Sequence, residues 1–320
     1  MVMATLVSGA ALAVQPLNVI VFPGGANWTL WVAQEKGFFA ARGLQVKLTP
    51  TPNSVYLAQN LDAGKFDIAF AAIDNVIAYD EGQGEAPLPR PAEFFAFVGQ
   101  QHGGVRLYAR PGIEKIADLK GKSLAVDAAT TGYAFVLRKL LEQGGLGEND
   151  YTFARLGGTG QRAQALVDGK TDATIVTSPL DIGPASKGMK RLANVVDDIG
   201  PYQGTVGVAR RSWARENETT LVGFIAAYVQ AMQWLADPEH RDEAVAIYRR
   251  ELPQASEASA QKAWDALMTS EREGLQKDGR FDVTGIETVL KLRREYGTPP
   301  SALGPPWKYF DESYLAKATK

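Results

Sequence analysis

Ala63-Gly64-Lys65-Phe66-Asp67-Ile68-Ala69-Phe70-Ala71-Ala72-Ile73-Asp74-Asn75 decides how the chain folds, because its pattern returns later in the sequence. The second copy is Asp168-Gly169-Lys170-Thr171-Asp172-Ala173-Thr174-Ile175-Val176-Thr177-Ser178-Pro179-Leu180. Leu61, Gly64, Lys65 and Asp67 fall on Leu166, Gly169, Lys170 and Asp172 at one offset of 105 residues. In both copies an amphipathic stretch meets a Gly-Lys turn, then an apolar run, then a polar loop. The same offset carries the loop Gly24 to Trp28 onto Ala129 to Tyr133. Two similar α/β lobes, each with loops at its strand ends, imply a cleft that closes on a small molecule.

Working outward, strands are expected at Leu17–Phe22, Leu44–Leu48, Phe66–Ala71, Phe94–Val98, Val105–Ala109, Ser123–Asp127, Ala173–Val176 and Leu192–Val196. Helical spacing or capping marks Trp28–Lys36, a helix from Ser54 to Asp62, one from Asp74 to Tyr79, Tyr133–Gln143 and Gly160–Val167. Ser54 and Asp74 are the expected caps. Alternating strands and helices argue for parallel sheets covered by helices on both faces. Extended crossings near 100–108 and 203–209 would join the lobes. Residues 16–104 and 205–320 then form lobe 1, with C-terminal helices, and 105–204 form lobe 2. The most apolar later stretch has Leu221, Val222, Ile225, Tyr228, Val229, Met232 and Leu235 at helical spacing. It is interrupted by Gln230 and Gln233 and is too short to span a bilayer, so it reads as a core helix.

Composition narrows the function. The chain has 320 residues, 45% hydrophobic and 22% charged, enough for two buried cores. Its net charge of −2, with Lys and Arg dispersed, offers no basic stripe for nucleic acid. Zero cysteines exclude disulfides, thiolate metal sites and cysteine nucleophiles. Residues 1–15 are set apart as a signal remnant or disordered extension, with Ala11-Leu12-Ala13 matching a signal-peptidase site.

Several segments carry a family resemblance. Ala33-Gln34-Glu35-Lys36-Gly37-Phe38-Phe39 followed by Gly43-Leu44-Gln45-Val46 resembles the opening of NMT1/THI5-like periplasmic solute-binding proteins. Ala63 to Ala69 is similar to that family's strand entry, and Ile116-Ala117-Asp118-Leu119-Lys120-Gly121-Lys122 to the start of its second lobe. The resemblance covers residues 17 to about 210. It implies a type II periplasmic-binding fold of two doubly wound α/β lobes. It further implies a monomer, exported to a Gram-negative periplasm, that delivers solute to an ABC-transporter permease without itself spanning the membrane. One branch of the family makes a thiamin pyrimidine precursor and relies on His, Lys and a Cys-rich motif. This chain has only His102 and His240 and no Cys. Ligand-sensing domains of LysR-type regulators share the fold but carry a helix-turn-helix that is absent here.

Ligands of open α/β sheets lie beyond the carboxyl ends of strands. That rule selects the loops 24–28, 72–75, 129–133 and 177–181. Thr130 and Thr131 open a helix whose free N–H groups and dipole favour an anion. Asn27 and Trp28 hold the matching loop of lobe 1, with Trp28 and Tyr133 as facing aromatic walls. Asp74, Asn75 and Ser178 occupy the remaining pair of loops. Gln101, His102 and Gln203 would line the floor at the crossings. No Arg or Lys falls in the four loops, which favours a monoanion, sulfonate or carboxylate, over a dianion, with a neutral or zwitterionic heteroaromatic as the alternative. No catalytic triad, metal cluster or phosphate loop is present, so neither catalysis nor a cofactor is expected.

Overall fold

The computed structural model describes residues 14–86 and 88–320. The Ala11-Leu12-Ala13 signal lies outside the described residues. The chain forms strands β1 (Gln15–Val21), β2 (Leu44–Pro50), β3 (Ile68–Ala72), β4 (Phe94–Gly99), β5 (Val105–Ala109), β6 (Lys122–Val126), β7 (Tyr151–Arg155), β8 (Ala173–Thr177), β9 (Lys190–Asn194) and β10 (Thr205–Arg210). β1 therefore starts inside the stretch set apart as an extension.

Helices alternate with these strands. Before β10 they are α1 (Trp28–Glu35), α2 (Ser54–Asp62), α3 (Ile73–Asp80), α4 (Gly132–Gln143), α5 (Thr159–Val167), α6 (Ile182–Ser186) and α7 (Val195–Asp198). The C-terminal part adds α8 (Arg211–Glu216), α9 (Glu218–Ala236), α10 (Arg241–Glu251), α11 (Glu257–Met268), α12 (Val283–Tyr296) and α13 (Ser313–Ala318).

The repeat is structural. α5 lies 105 residues after α2 at both ends, and β8 lies 105 residues after β3 at both ends. Two five-stranded sheets result, in the orders β2-β1-β3-β10-β4 and β7-β6-β8-β5-β9. Each lobe thus has the same strand order, and its fourth strand is the one that arrives through a crossing.

The expectation of parallel sheets needs correction, because both sheets are mixed. β10 runs antiparallel to β3 and β4, and β5 runs antiparallel to β8 and β9. A chain that enters a lobe from its cleft side must run against the strands that end there. β7 was not anticipated from the sequence; it is a five-residue edge strand with no fully buried residue. The expected caps also shift. Asn53, not Ser54, caps α2, its side chain accepting from the Tyr56 N–H at 2.8 Å. Ala72 precedes α3, which leaves Asp74 inside the first turn.

Lobe 1 is thickened by α9, whose buried face carries Leu221, Phe224, Ile225, Tyr228, Met232 and Leu235, the spacing read from sequence. No helix among the described residues is long and apolar enough to cross a membrane. Phe224 is fully buried and stacks on Phe39 at 5.0 Å between ring centres, with Phe97 edge-on at 6.1 Å. Phe224→Ala is expected to destabilise lobe 1 by about 3–5 kcal/mol. The readout is the urea midpoint; a loss under about 1 kcal/mol would show that the aromatic cluster does not hold this layer together.

Candidate functional site

The carboxyl ends of both sheets face one another across a cavity of about 70 Å³, several times the space that one water needs. Every part of its wall follows from topology. Phe22 and Pro23 come after β1, Ala71 and Ala72 end β3, Gln100 follows β4, Asp127 follows β6, Thr177 ends β8 and Thr205 begins β10. The helices that leave these strand ends start at the same place, so their first N–H groups, which lack partners within the helix, point toward the interior.

Asn27, Asp74, Asn75, Thr131 and Tyr133 line this cavity. Tyr133 is enclosed there, and burial pushes its hydroxyl up to about 12, so it stays neutral. Asn27 is partly committed, because its side-chain N–H donates to the Phe22 carbonyl at 2.8 Å.

The start of α4, expected to receive a ligand anion, already holds a carboxylate of the protein. Asp74 Oδ2 accepts from the Gly132 N–H at 2.6 Å. Its other oxygen, Oδ1, accepts from Arg293 Nε at 2.8 Å, with Arg293 Nη2 at 2.6 Å. Arg293 comes from α12, is fully buried, and also donates to Gln83 Oε1 and to the Thr130 carbonyl. Its guanidinium lies over the Phe135 ring at 4.9 Å. One buried ion pair therefore ties α3 of lobe 1, α4 of lobe 2 and the C-terminal helix together. A second carboxylate makes the reverse contact: Asp127 of lobe 2 accepts from the Ser54 N–H, at the start of α2 in lobe 1, at 3.0 Å.

Six expected site residues stand outside the cavity wall. Trp28 is a core residue; its indole donates to the Ala244 carbonyl at 3.0 Å and its ring meets Tyr248 at 4.4 Å. The first position of α1 turns toward α10 rather than toward the opposite lobe, so the paired aromatic walls do not form. The Thr130 hydroxyl donates to Glu85 at 2.9 Å. Ser178 is buried beside the crossing, and its carbonyl accepts from Gln101 Nε2 at 2.9 Å. Gln203 and Gln276 exchange side-chain amide hydrogen bonds at 3.0 and 2.9 Å. His102 Nδ1 lies 3.6 Å from Asp282. The crossing residues thus fasten the C-terminal segment to the hinge.

Two charged residues in the wall were missed. Arg162, on the inner face of α5, is buried and supplies the cation that the loops lack. It donates to Thr174 Oγ1, the Gly157 carbonyl, Thr159 Oγ1 and the Ile175 carbonyl. These four bonds leave one of the five guanidinium N–H groups, on Nη1. Burial pulls its pKa down and the Asp127 charge opposes that, so the guanidinium remains a cation. Asp127 itself was read only as the end of a strand. The strand-end rule applied to the loops after β2 and β7, and to the residue after β6, finds both.

Removing Arg293 leaves Asp74 buried between the lobes without its countercharge. Arg293→Met is expected to cost about 3–5 kcal/mol, measured by denaturant unfolding, and Asp74→Asn in the same chain should restore part of it. A loss that the second substitution only deepens would mean that the pair does not act as a unit.

Comparison with known proteins agrees with this geometry. The chain is similar to a protein of Brucella abortus named as a candidate binding protein, at 25% identity over 294 residues, covering 89% of this chain and 87% of that one. The periplasmic nitrate-binding protein NrtA from Synechocystis PCC 6803 superposes with a TM-score of 0.81 at 14% identity, over 96% of this chain and 88% of the other. The alkanesulfonate-binding protein SsuA from Xanthomonas axonopodis pv. citri, bound to MOPS, gives 0.67 at 16% identity, over 97% and 99%. These two likenesses establish the type II periplasmic-binding fold. Residues 27–241 match the family described as NMT1/THI5 like, and the chain belongs to that family.

Proposed function

We propose that this chain is the solute-binding component of an ABC-type importer, working as a monomer outside the cytoplasmic membrane. It holds a small organic monoanion, a sulfonate or carboxylate, between its lobes and presents the closed form to a permease. The lobes correspond to 16–104 with 205–320, and to 105–204. Family membership and the binding roles named for the Synechocystis and Xanthomonas proteins support the transport part of this reading.

One observation carries the ligand class: the buried cation Arg162 lines a two-lobe cavity that the first turns of α3 and α5 also line. A helix start contributes about 0.3–1 kcal/mol toward a negative group, more when water is excluded. Asp74 is neutralised by Arg293, and Asp127 offsets part of the Arg162 charge. Arg162 therefore favours a single negative group beside it, and a second negative charge on the ligand would meet no further cation in the wall. Closure then follows if the ligand contacts both lobes only in the closed state, since equal affinity for both states shifts nothing.

A thermal-shift series of small sulfonates and carboxylates tests the proposal. A true ligand present at 100 times its Kd should stabilise the fold by about 2.7 kcal/mol and be recovered unchanged by mass spectrometry. Recovery of a converted product would instead favour a pyrimidine-synthase-type enzyme, and stabilisation by neutral compounds alone would remove the monoanion.

A further inference from the structure

The interlobe cavity is not bounded by solid protein on every side. Beside it runs an open groove of about 550 Å³, bordered by α5 and α6 of lobe 2 and by α10 and α11 of lobe 1. Three residues line both spaces: Pro23, Gly160 and Leu180. The boundary between cavity and groove is therefore thin, and its composition is uneven. Gly160 has no side chain, and the Pro23 ring is fixed to its own backbone. Leu180 supplies the one long side chain of the three. It is half-buried in lobe 2, packed against the cluster of Tyr108, Ala163, Leu166 and Val176.

The tip of Leu180 reaches lobe 1, which is shaped to receive it. A β-carbon on Gly24 would lie 2.8 Å from Leu180 Cδ2, and the backbone there has φ +126°, which side chains rarely adopt. A β-carbon on Gly25 would lie 2.4 Å from the Tyr248 hydroxyl. Two consecutive glycines thus let the chain of lobe 1 pass close to Leu180 and to Tyr248.

We propose that Leu180 limits the length of the ligand: its side chain is the partition between cavity and groove, and shortening it joins the two into one continuous space. The length limit rests on the monoanion reading above; the partition belongs to the fold and is tested without a ligand. A wall of this kind selects by excluding longer compounds, not by improving contact with shorter ones.

The chain has no cysteine, so one introduced thiol can report on the partition. Thr205, at the start of β10, lines the cavity but not the groove. In the Thr205→Cys protein, adding Leu180→Ala should raise the rate of modification by methyl methanethiosulfonate about tenfold or more, because thiol reactivity follows access. Leu180→Met keeps the bulk and should hold the rate within about twofold. Ala125→Cys, deep in β6, serves as the control and should show no rise with Leu180→Ala. An unchanged rate at Thr205→Cys, or an equal rise at Ala125→Cys, overturns the partition. Calorimetry then tests the length limit, with straight-chain acids from methanesulfonate to octanesulfonate and from acetate to octanoate. The affinity for the longest member relative to the shortest should be about tenfold or more higher in Leu180→Ala than in the wild-type chain. An equal ratio in the two proteins overturns Leu180 as the limiting residue. If nothing in either series binds while the thiol rates behave as expected, the monoanion reading and the length limit fail and the partition stands.

Discussion

The contact on which the two lobes most depend is a carboxylate placed where a helix begins. Asp74 leaves lobe 1 and meets the first N–H of α4 in lobe 2, with Arg293 of α12 closing the triangle. Each component alone would be costly to bury: a carboxylate, a guanidinium and a helix end with unmatched N–H groups. Brought together they satisfy one another, and the rest of the interlobe geometry must accommodate their meeting. Gly132 is part of the reason it is possible. A β-carbon at that position would lie 2.6 Å from the Asp74 carboxyl carbon and 2.8 Å from the Tyr202 hydroxyl, so only glycine lets the acid approach.

The same contact defines what the cavity has left to offer. With the α4 start occupied, the polar groups left along the wall come from the first turns of α3 and α5, Arg162 and Asp127. Asp127 mirrors Asp74 in reaching the helix of the other lobe, but it commits one oxygen where Asp74 commits both. Two acids in similar settings thus both join the lobes, and they differ in that Asp127 keeps one oxygen unmatched.

Much of this architecture could be read from residue order, and the reasons for the rest are specific. The 105-residue offset located α2 and α5, β3 and β8, and with them the cleft, because duplicated halves preserve their spacing even where most residues have changed. Strand direction could not be read, because the apolar content of β5 and β10 is the same whichever way they run. Trp28 and Tyr133 occupy matched positions yet face different surroundings. α10 exists only in the C-terminal part and covers the first of them, whereas the second lines the cavity beside Tyr202. Nothing in the local sequence sets Arg162 apart; its burial depends on the acceptors Thr174, Gly157 and Ile175, brought close by folding. Asp74 carried a signal for a helix start, and it does serve one, but in the partner lobe.

The placement of the two crossings has a mechanical consequence. Each delivers its strand to the fourth of five positions, with ladders on both sides, β10 between β3 and β4 and β5 between β8 and β9. Force applied through a crossing is borne by two ladders at the strand it delivers, β5 or β10, and by one ladder at the outermost strand it leaves, β4 or β9. The joints between the ladders are short and hold Gly103, Gly104 and Gly204, so a change in the angle between the sheets has few residues in which to be absorbed.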